Sequence, residues 1–260
     1  MMASPKYLMI FPLIVLLMIP PATPLPRPGV NPKYDNYNND LTSSTSYCES
    51  WKLAIETNNA GAWGLVRKEC VDFVRIYISG KQYYADYELI ADYAIDFAHT
   101  VKPLADGKDA WFFDVDETLL SHLSYFATQG YGTEPMDEGS FYSWIEMAKA
   151  PAFDASLRLY NELKKLGFTI FLLTGRDEEY RNATETNLLR SGYFGWQRLF
   201  LRGPEDKGKP ATIYKSERRS EIVKEGYRIH GNVGDQWSDL LGFAQAERSF
   251  KVPNPLYYVP

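Results

Sequence analysis

The chain reads as an α/β protein: a mostly parallel central sheet with helices on both faces, preceded by a helical N-terminal region. Three observations predict this. From Asp109 onward, short apolar runs alternate with helix-periodic segments, the pattern of strand–helix–strand units. Between Cys48 and Thr100 the periodicity is helical. The composition, 45% hydrophobic and 23% charged over 260 residues, excludes a disordered or collagenous chain and leaves room for one or two domains. An aromatic content of 15% predicts a ring-rich core.

In chain order, residues 1–25 read as a signal peptide. Lys6 precedes the apolar run from Tyr7 to Ile19, which Pro20 and Pro21 close. The run is short for a bilayer span, and an uncleaved anchor is the alternative. No other stretch is apolar enough to cross a membrane, so none is expected after signal cleavage. Residues 26–47, rich in Pro, Asn, Ser and Thr, read as a linker or tail. Residues 48–105 form the helical region. Trp51, Leu53, Ala54 and Ile55 fit a first helix, and residues 58–61 a turn. Val66, Cys70, Phe73, Val74 and Tyr77 stripe a second, which Ser79 and Gly80 end. Tyr87, Ile90, Tyr93, Ala94 and Phe97 stripe a third. Export permits a disulfide, and Cys48 and Cys70 are the only cysteines. Their pairing would staple the first two helices; two buried free thiols are the other reading. Two cysteines also exclude a four-cysteine zinc site.

Residues 106–260 form the sheet domain. Ala110–Phe113 is a first strand, Leu157 to Leu166 a helix that Gly167 stops, and Phe168–Thr174 a buried strand. A helix over about 178–190, a strand over 198–201, a helix from Ser216 to Glu225 with Ser216 as N-cap, and a strand over 228–233 follow. Residues 121–150, carrying Tyr125, Phe126, Tyr131, Phe141, Tyr142 and Trp144, either shape a small cap or pack against the N-terminal helices. Asn182-Ala183-Thr184 is a candidate glycosylation sequon at Asn182.

In such sheets ligands bind outside the carboxyl ends of the strands, so polar residues that end apolar runs matter most. Four places qualify. Asp114 and Asp116 sit two apart where the first strand ends, and paired carboxylates suit a hard cation or a division of nucleophile and acid/base duties. Thr174, Gly175 and Arg176 end the next strand with a hydroxyl and donors suited to phosphate. Lys215 lies just ahead of the predicted helix. Asp235 and Asp239 sit four apart after the last predicted strand, where Asp235 and Asp114 could share a cation. A net charge of −5 gives no basic footprint, so no nucleic-acid polymer is expected.

The order DxDxT, Thr-Gly-Arg, Lys, GDxxxD resembles the haloacid dehalogenase-like (HAD) phosphatase superfamily over about residues 109–260. At finer grain the chain resembles the class B acid phosphatase family, in its plant acid phosphatase and vegetative storage protein group. The matching stretches are CESW (48–51), FDVDETLL (113–120), LTGR (173–176), YKSERR (214–219), GYRIHGNVGDQWSDLLG (226–242) and PLYY (255–258). The resemblance implies a Rossmann-like HAD fold and a metal-dependent acid phosphatase acting on small-molecule phosphate monoesters. Asp114 would be the nucleophile and Asp116 the acid and base. Thr174, Gly175, Arg176 and Lys215 would bind the phosphoryl group. Mg2+ would be held by Asp114, the backbone carbonyl of Asp116 and Asp235, with Asp239 orienting the shell. Crowding by the other carboxylates would raise the Asp116 pKa. Some storage members of the group carry Ser at the nucleophile position; here it is Asp114. A storage protein with weak residual activity, and a phosphotransferase or nucleotidase on the same site, are the alternative functions. The expected location is the secretory pathway, ending in the extracellular space, the cell wall or the vacuole. The ring-rich helices are compatible with a homodimer.

Overall fold

Five parallel strands lie in the order β3-β2-β1-β4-β5 at the centre of the protein: β1 (Asp109–Phe113), β2 (Thr169–Asp177), β3 (Arg198–Arg202), β4 (Arg228–Gly234) and β5 (Arg248–Lys251). A computed structural model describes residues 42–260, with side chains from residue 45 onward. Residues 1–25, read as a signal peptide, and most of residues 26–47, read as a linker, therefore lie outside the described residues. The helices are α1 (Thr42–Glu56), α2 (Val71–Ser79), α3 (Lys81–Thr100), α4 (Leu123–Phe126), α5 (Glu138–Glu146), α6 (Asp154–Lys165), α7 (Arg181–Arg190), α8 (Ala211–Lys224) and α9 (Trp237–Leu240).

Strand side chains alternate between the two faces of the sheet, and both are apolar. Trp111, Phe113, Ile170, Leu172, Leu199, Leu201, Val233 and Phe250 join the larger core, which α2, α3 and α6 complete. Ala110, Phe112, Phe171, Leu173, Phe200 and Ile229 face the other way and meet Tyr214 and Ile222 of α8. Registers such as Phe113 opposite both Leu172 and Val233 place like faces side by side. Gly231 is required where β4 passes the Trp111 ring, because a Cβ there would lie 2.1 Å from it.

The buried stripe of α3 is Tyr83, Tyr87, Ala91, Ala94 and Ala98. The expected stripe misplaced Tyr93, which is 53% exposed. Rings fill the inward positions in the first half of α3 and small alanines those in the second half, so aromatic periodicity places Tyr87 correctly but drifts off the buried face at Tyr93. The second helix begins later than expected: Val66 precedes a 3-10 turn at Lys68–Cys70, and α2 starts at Val71. Lys215 lies inside α8 rather than ahead of it. Pro210 is the N-cap, and the Ser216 hydroxyl donates to the Thr212 carbonyl at 2.6 Å instead of capping. Three elements lacked a sequence signal, and the first of them, α4, spans only four residues. In β5 only Phe250 is buried, and α5 is a short helix capped by the Asp137 side chain.

Cys48 of α1 and Cys70 at the foot of α2 form a disulfide across a sequence separation of 22. A loop of that length stabilises the fold by about 3 kcal/mol in the chain-entropy model. Replacing both cysteines by serine is expected to lower the unfolding free energy by about that amount, measured by denaturant titration.

At the far end of the sheet from the strand carboxyl ends, the Asp109 carboxylate accepts from Arg228 Nε at 2.9 Å and His230 Nε2 at 2.7 Å on one oxygen and from the Leu104 N–H at 2.6 Å on the other. The Arg228 guanidinium above all holds its pKa down, to about 2 from an ordinary 3.8. A lowered acid pKa contributes stability above the unfolded value that is lost as pH falls through the folded one. Asp109→Asn is expected to lower stability by about 2 kcal/mol at pH 6, the gap to wild type closing as pH approaches 2.

Candidate active site

β1 and β4 are adjacent strands from which the chain departs in opposite directions along the sheet, and their carboxyl ends form the crevice where such sheets bind ligands. Beyond β1 the chain turns at Glu117, whose φ of 51° is left-handed. Its buried carboxylate accepts from Tyr83 Oη at 3.0 Å and from the His122 N–H, and its carbonyl accepts from Tyr87 Oη. Helix α3 thus supports the turn from below. The turn sends Asp114 and Asp116 to different partners.

Asp114 joins Asp235 and Asp239. One oxygen from each of the three buried carboxylates lies within 4.8 Å of the others. Lys215 reaches across from α8, its Nζ 2.6 Å from Asp114 Oδ1 and also bonded to Asp239 Oδ1. Thr118 Oγ1 lies 3.2 Å from Asp114 Oδ2 and 3.3 Å from Asp235 Oδ1. The outer oxygens are anchored: Asp235 Oδ2 accepts from Gln236 Nε2 at 2.7 Å and Asn254 Nδ2 at 2.6 Å, and Asp239 Oδ2 accepts from the Gln236 N–H at 2.9 Å. Gly234 leaves room for this, since a Cβ there would lie 2.4 Å from Asp239 Oδ2. Burial pushes the Asp114 pKa well above the usual range, Lys215 opposing and Asp239 and Asp235 adding to it. Burial, then Asp239, also raises Asp235. For Lys215 burial acts downward, but Asp114 and Asp239 outweigh it and keep the ammonium charged. Three carboxylates against one ammonium leave an excess of negative charge among oxygen donors, which fits a hard divalent cation.

The Asp116 carboxylate lies outside that cluster. Oδ1 accepts from His122 Nε2 at 2.6 Å and Arg176 Nη2 at 2.7 Å, and Oδ2 from Thr174 Oγ1 at 3.0 Å. Arg176 Nε lies 3.1 Å and 3.2 Å from the two oxygens. Burial alone would raise this acid, but Arg176 and then His122 outweigh it and hold the pKa well below the usual range. That corrects the expectation of a raised value: the carboxylate faces a guanidinium and an imidazole instead of its sister acids. Burial lowers the His122 pKa, against the upward pull of Asp116, and Nδ1 accepts from Trp144 Nε1 at 2.9 Å.

Of the residues read as phosphate-binding, Gly175, Arg176 and Lys215 line a cavity of about 480 Å³ together with Asp114, Asp116, Asp235 and Asp239. Thr174 is fully buried beneath it, bonded to Asp116 and to the Arg176 N–H. The remaining Arg176 donor, Nη1, bonds Thr184 Oγ1 at 2.9 Å. Thr184 of the sequon therefore has a structural task of its own, while Asn182 is exposed on α7. The segment 121–150 supplies Phe126, Pro135, Met136, Phe141 and Tyr142 to the cavity wall, and Tyr125 packs beneath on Phe126 and Phe141. The C-terminal tail supplies Leu256 to Val259. Glu56, the last residue of α1, fixes that tail by accepting from Lys251 Nζ at 2.6 Å and the Asn254 N–H at 2.9 Å.

Thr118, His122, Trp144, Gln236 and Asn254 also belong to the site, without having been expected there. Thr118 was visible as the last letter of DxDxT. The others act through side chains brought together only by the fold.

The family model of the HAD superfamily, subfamily IIIB (acid phosphatase), matches residues 35–260. Acid phosphatase 1 of Solanum lycopersicum is 50% identical over 212 residues, 82% of this chain and 83% of that protein. The stem 28 kDa glycoprotein of Glycine max is 39% identical over 82% of this chain and 84% of that protein. Vegetative storage protein 2 of Arabidopsis thaliana is 38% identical over 85% and 83%. Among solved structures, the Class C acid phosphatase from Bacillus anthracis shares the fold, with a TM-score of 0.61 at 22% identity over 72% of this chain and 85% of that one.

Proposed function

The chain belongs to the acid phosphatases of HAD subfamily IIIB, and from that premise we propose that it hydrolyses phosphate monoesters through an aspartyl phosphate on Asp114, with Mg2+ as the cation. The observation that carries the reading is the buried group of Asp114, Asp235, Asp239 and Lys215 at the carboxyl ends of β1 and β4.

Asp114 attacks phosphorus and the bond to the leaving oxygen breaks. Asp116, ionised in the free site, takes up the proton that a monoanionic ester carries at acid pH and gives it to that oxygen, then takes one from the water that attacks the phosphoaspartate and frees Asp114. Lys215 offsets the charge of the carboxylates and of the phosphoryl oxygens. Gly175, in the cavity lining, lets those oxygens approach the backbone, and Thr174 and Arg176 act on the phosphate through Asp116. Asp114, Asp235 and Asp239, with the backbone carbonyl of Asp116, would hold the cation, which supplies Lewis-acid stabilisation of the transferring group. The apolar cavity wall suits an alcohol part that is uncharged.

Asp116→Asn is expected to lower turnover of an alkyl phosphate by about 10²–10⁴-fold, the usual contribution of a positioned acid and base. Turnover within a few-fold of wild type would remove that assignment. The storage relatives suggest a reserve role as well; Asp114 and its complete set of partners favour the enzyme. Export to the extracellular space, cell wall or vacuole is supported by the apolar run at residues 7–19, the Cys48–Cys70 disulfide and the exposed Asn182 as a glycan acceptor. No helix among the described residues is long and apolar enough to cross a membrane.

A further inference from the structure

His122 is fully buried directly beside Asp116, and the phosphatase motifs do not include it. Its ring has two partners. Nε2 lies 2.6 Å from Asp116 Oδ1, and Nδ1 lies 2.9 Å from Trp144 Nε1. An indole nitrogen only donates, so Nδ1 must be the accepting nitrogen and the ring proton must sit on Nε2, facing the carboxylate. Trp144 thereby fixes the tautomer. Phe141, edge-on at 5.4 Å between ring centres, holds the ring plane from the same helix, α5.

The consequence falls on the two oxygens of Asp116. Oδ1 meets only donors, His122 Nε2 and the Arg176 guanidinium, and so cannot itself carry a proton without losing one of them. Oδ2 is less crowded: it meets the Thr174 hydroxyl at 3.0 Å and only the shared Arg176 Nε, at 3.2 Å, and the hydroxyl can turn its second lone pair toward a proton there although it already accepts from the Arg176 N–H. We infer that His122, locked by Trp144, is a positioning residue that pins Asp116 Oδ1 and leaves Oδ2 as the oxygen that exchanges a proton with the leaving group and then with water. This rests on the acid/base role given to Asp116 above. It ties that role to α5, in the segment that also supplies the cavity wall.

The test is the dependence of kcat/KM on the leaving group, across nitrophenyl, phenyl and alkyl phosphates. A misplaced acid matters little for a leaving group that departs without a proton and much for one that needs it. His122→Phe keeps the ring and removes the Nε2 donor. It is expected to lower kcat/KM for the alkyl ester about 10–100-fold, the range seen when an orienting partner is lost, with a much smaller loss for the nitrophenyl ester. The plot against leaving-group basicity therefore steepens. His122→Gln, which can place an amide N–H near Nε2, is expected to restore most of the wild-type slope. Trp144→Phe, which frees the tautomer without touching Asp116, is expected to fall between wild type and His122→Phe.

An unchanged slope in both His122→Phe and Trp144→Phe would overturn the inference, as would equal losses on all three esters in variants whose thermal midpoints match wild type. Asp116→Asn is the reference. If it steepens the plot and His122→Phe does not, only the positioning role fails. If Asp116→Asn itself leaves the slope unchanged, the acid assignment fails first.

Discussion

Asp114→Asn is expected to abolish turnover of an aryl phosphate, by on the order of 10⁴-fold or more, because removing a covalent nucleophile leaves only binding and electrostatic stabilisation. The amide matches the carboxylate in size, and Thr118 Oγ1 at 3.2 Å can still bond it. The fold should therefore survive, and a circular-dichroism melt separates lost chemistry from lost structure. Asp114 has no substitute in place. Asp235 and Asp239 each have an oxygen anchored by Gln236, and the Asp116 carboxylate is turned toward Arg176 and His122. Near-wild-type turnover in Asp114→Asn would remove the nucleophile assignment.

Removing the divalent cation is expected to lower activity on the order of 10³-fold, reversibly. Lewis-acid stabilisation of a transferring phosphoryl group is worth several kcal/mol, and each 1.4 kcal/mol is about tenfold in rate. The same ion should raise thermal stability, because Asp114, Asp235 and Asp239 are buried together with Lys215 as the cation that bridges two of them. An ion at a hundred times its dissociation constant adds about 2.7 kcal/mol to the folded state. Activity assays and melting curves after EDTA and after Mg2+ addition read both effects. Full activity in EDTA would contradict the metal.

The sequence showed where the chemistry sits more clearly than how it is wired. Strand-end polar residues were legible because an apolar run that stops at Asp114, Thr174 or Asp235 announces the carboxyl end of a buried strand. Asp114, Lys215, Asp235 and Asp239 meet as their positions suggested. The split between the two aspartates was not legible. It depends on the left-handed turn at Glu117, and that turn depends on Tyr83 and Tyr87 of α3, about thirty residues earlier. The direction of the Asp116 pKa was misjudged for the same reason, since it is set by His122 and Arg176 rather than by the neighbouring acids. His122, Trp144 and Asn254 carry no local pattern. Their roles exist only after α5 and the C-terminal tail have packed onto the ends of β1 and β4.

The central claim is that phosphate passes through a covalent bond to Asp114. Rapid acid quench during turnover of a substrate labelled in its phosphoryl group, followed by peptide mapping, tests it most directly. Label is expected on the peptide containing Asp114 and, with a nitrophenyl ester whose leaving group needs no proton, at a level that rises in Asp116→Asn, where the water that frees the phosphoaspartate lacks its base. Product formation with no label on protein, or label on any residue other than Asp114, would contradict it.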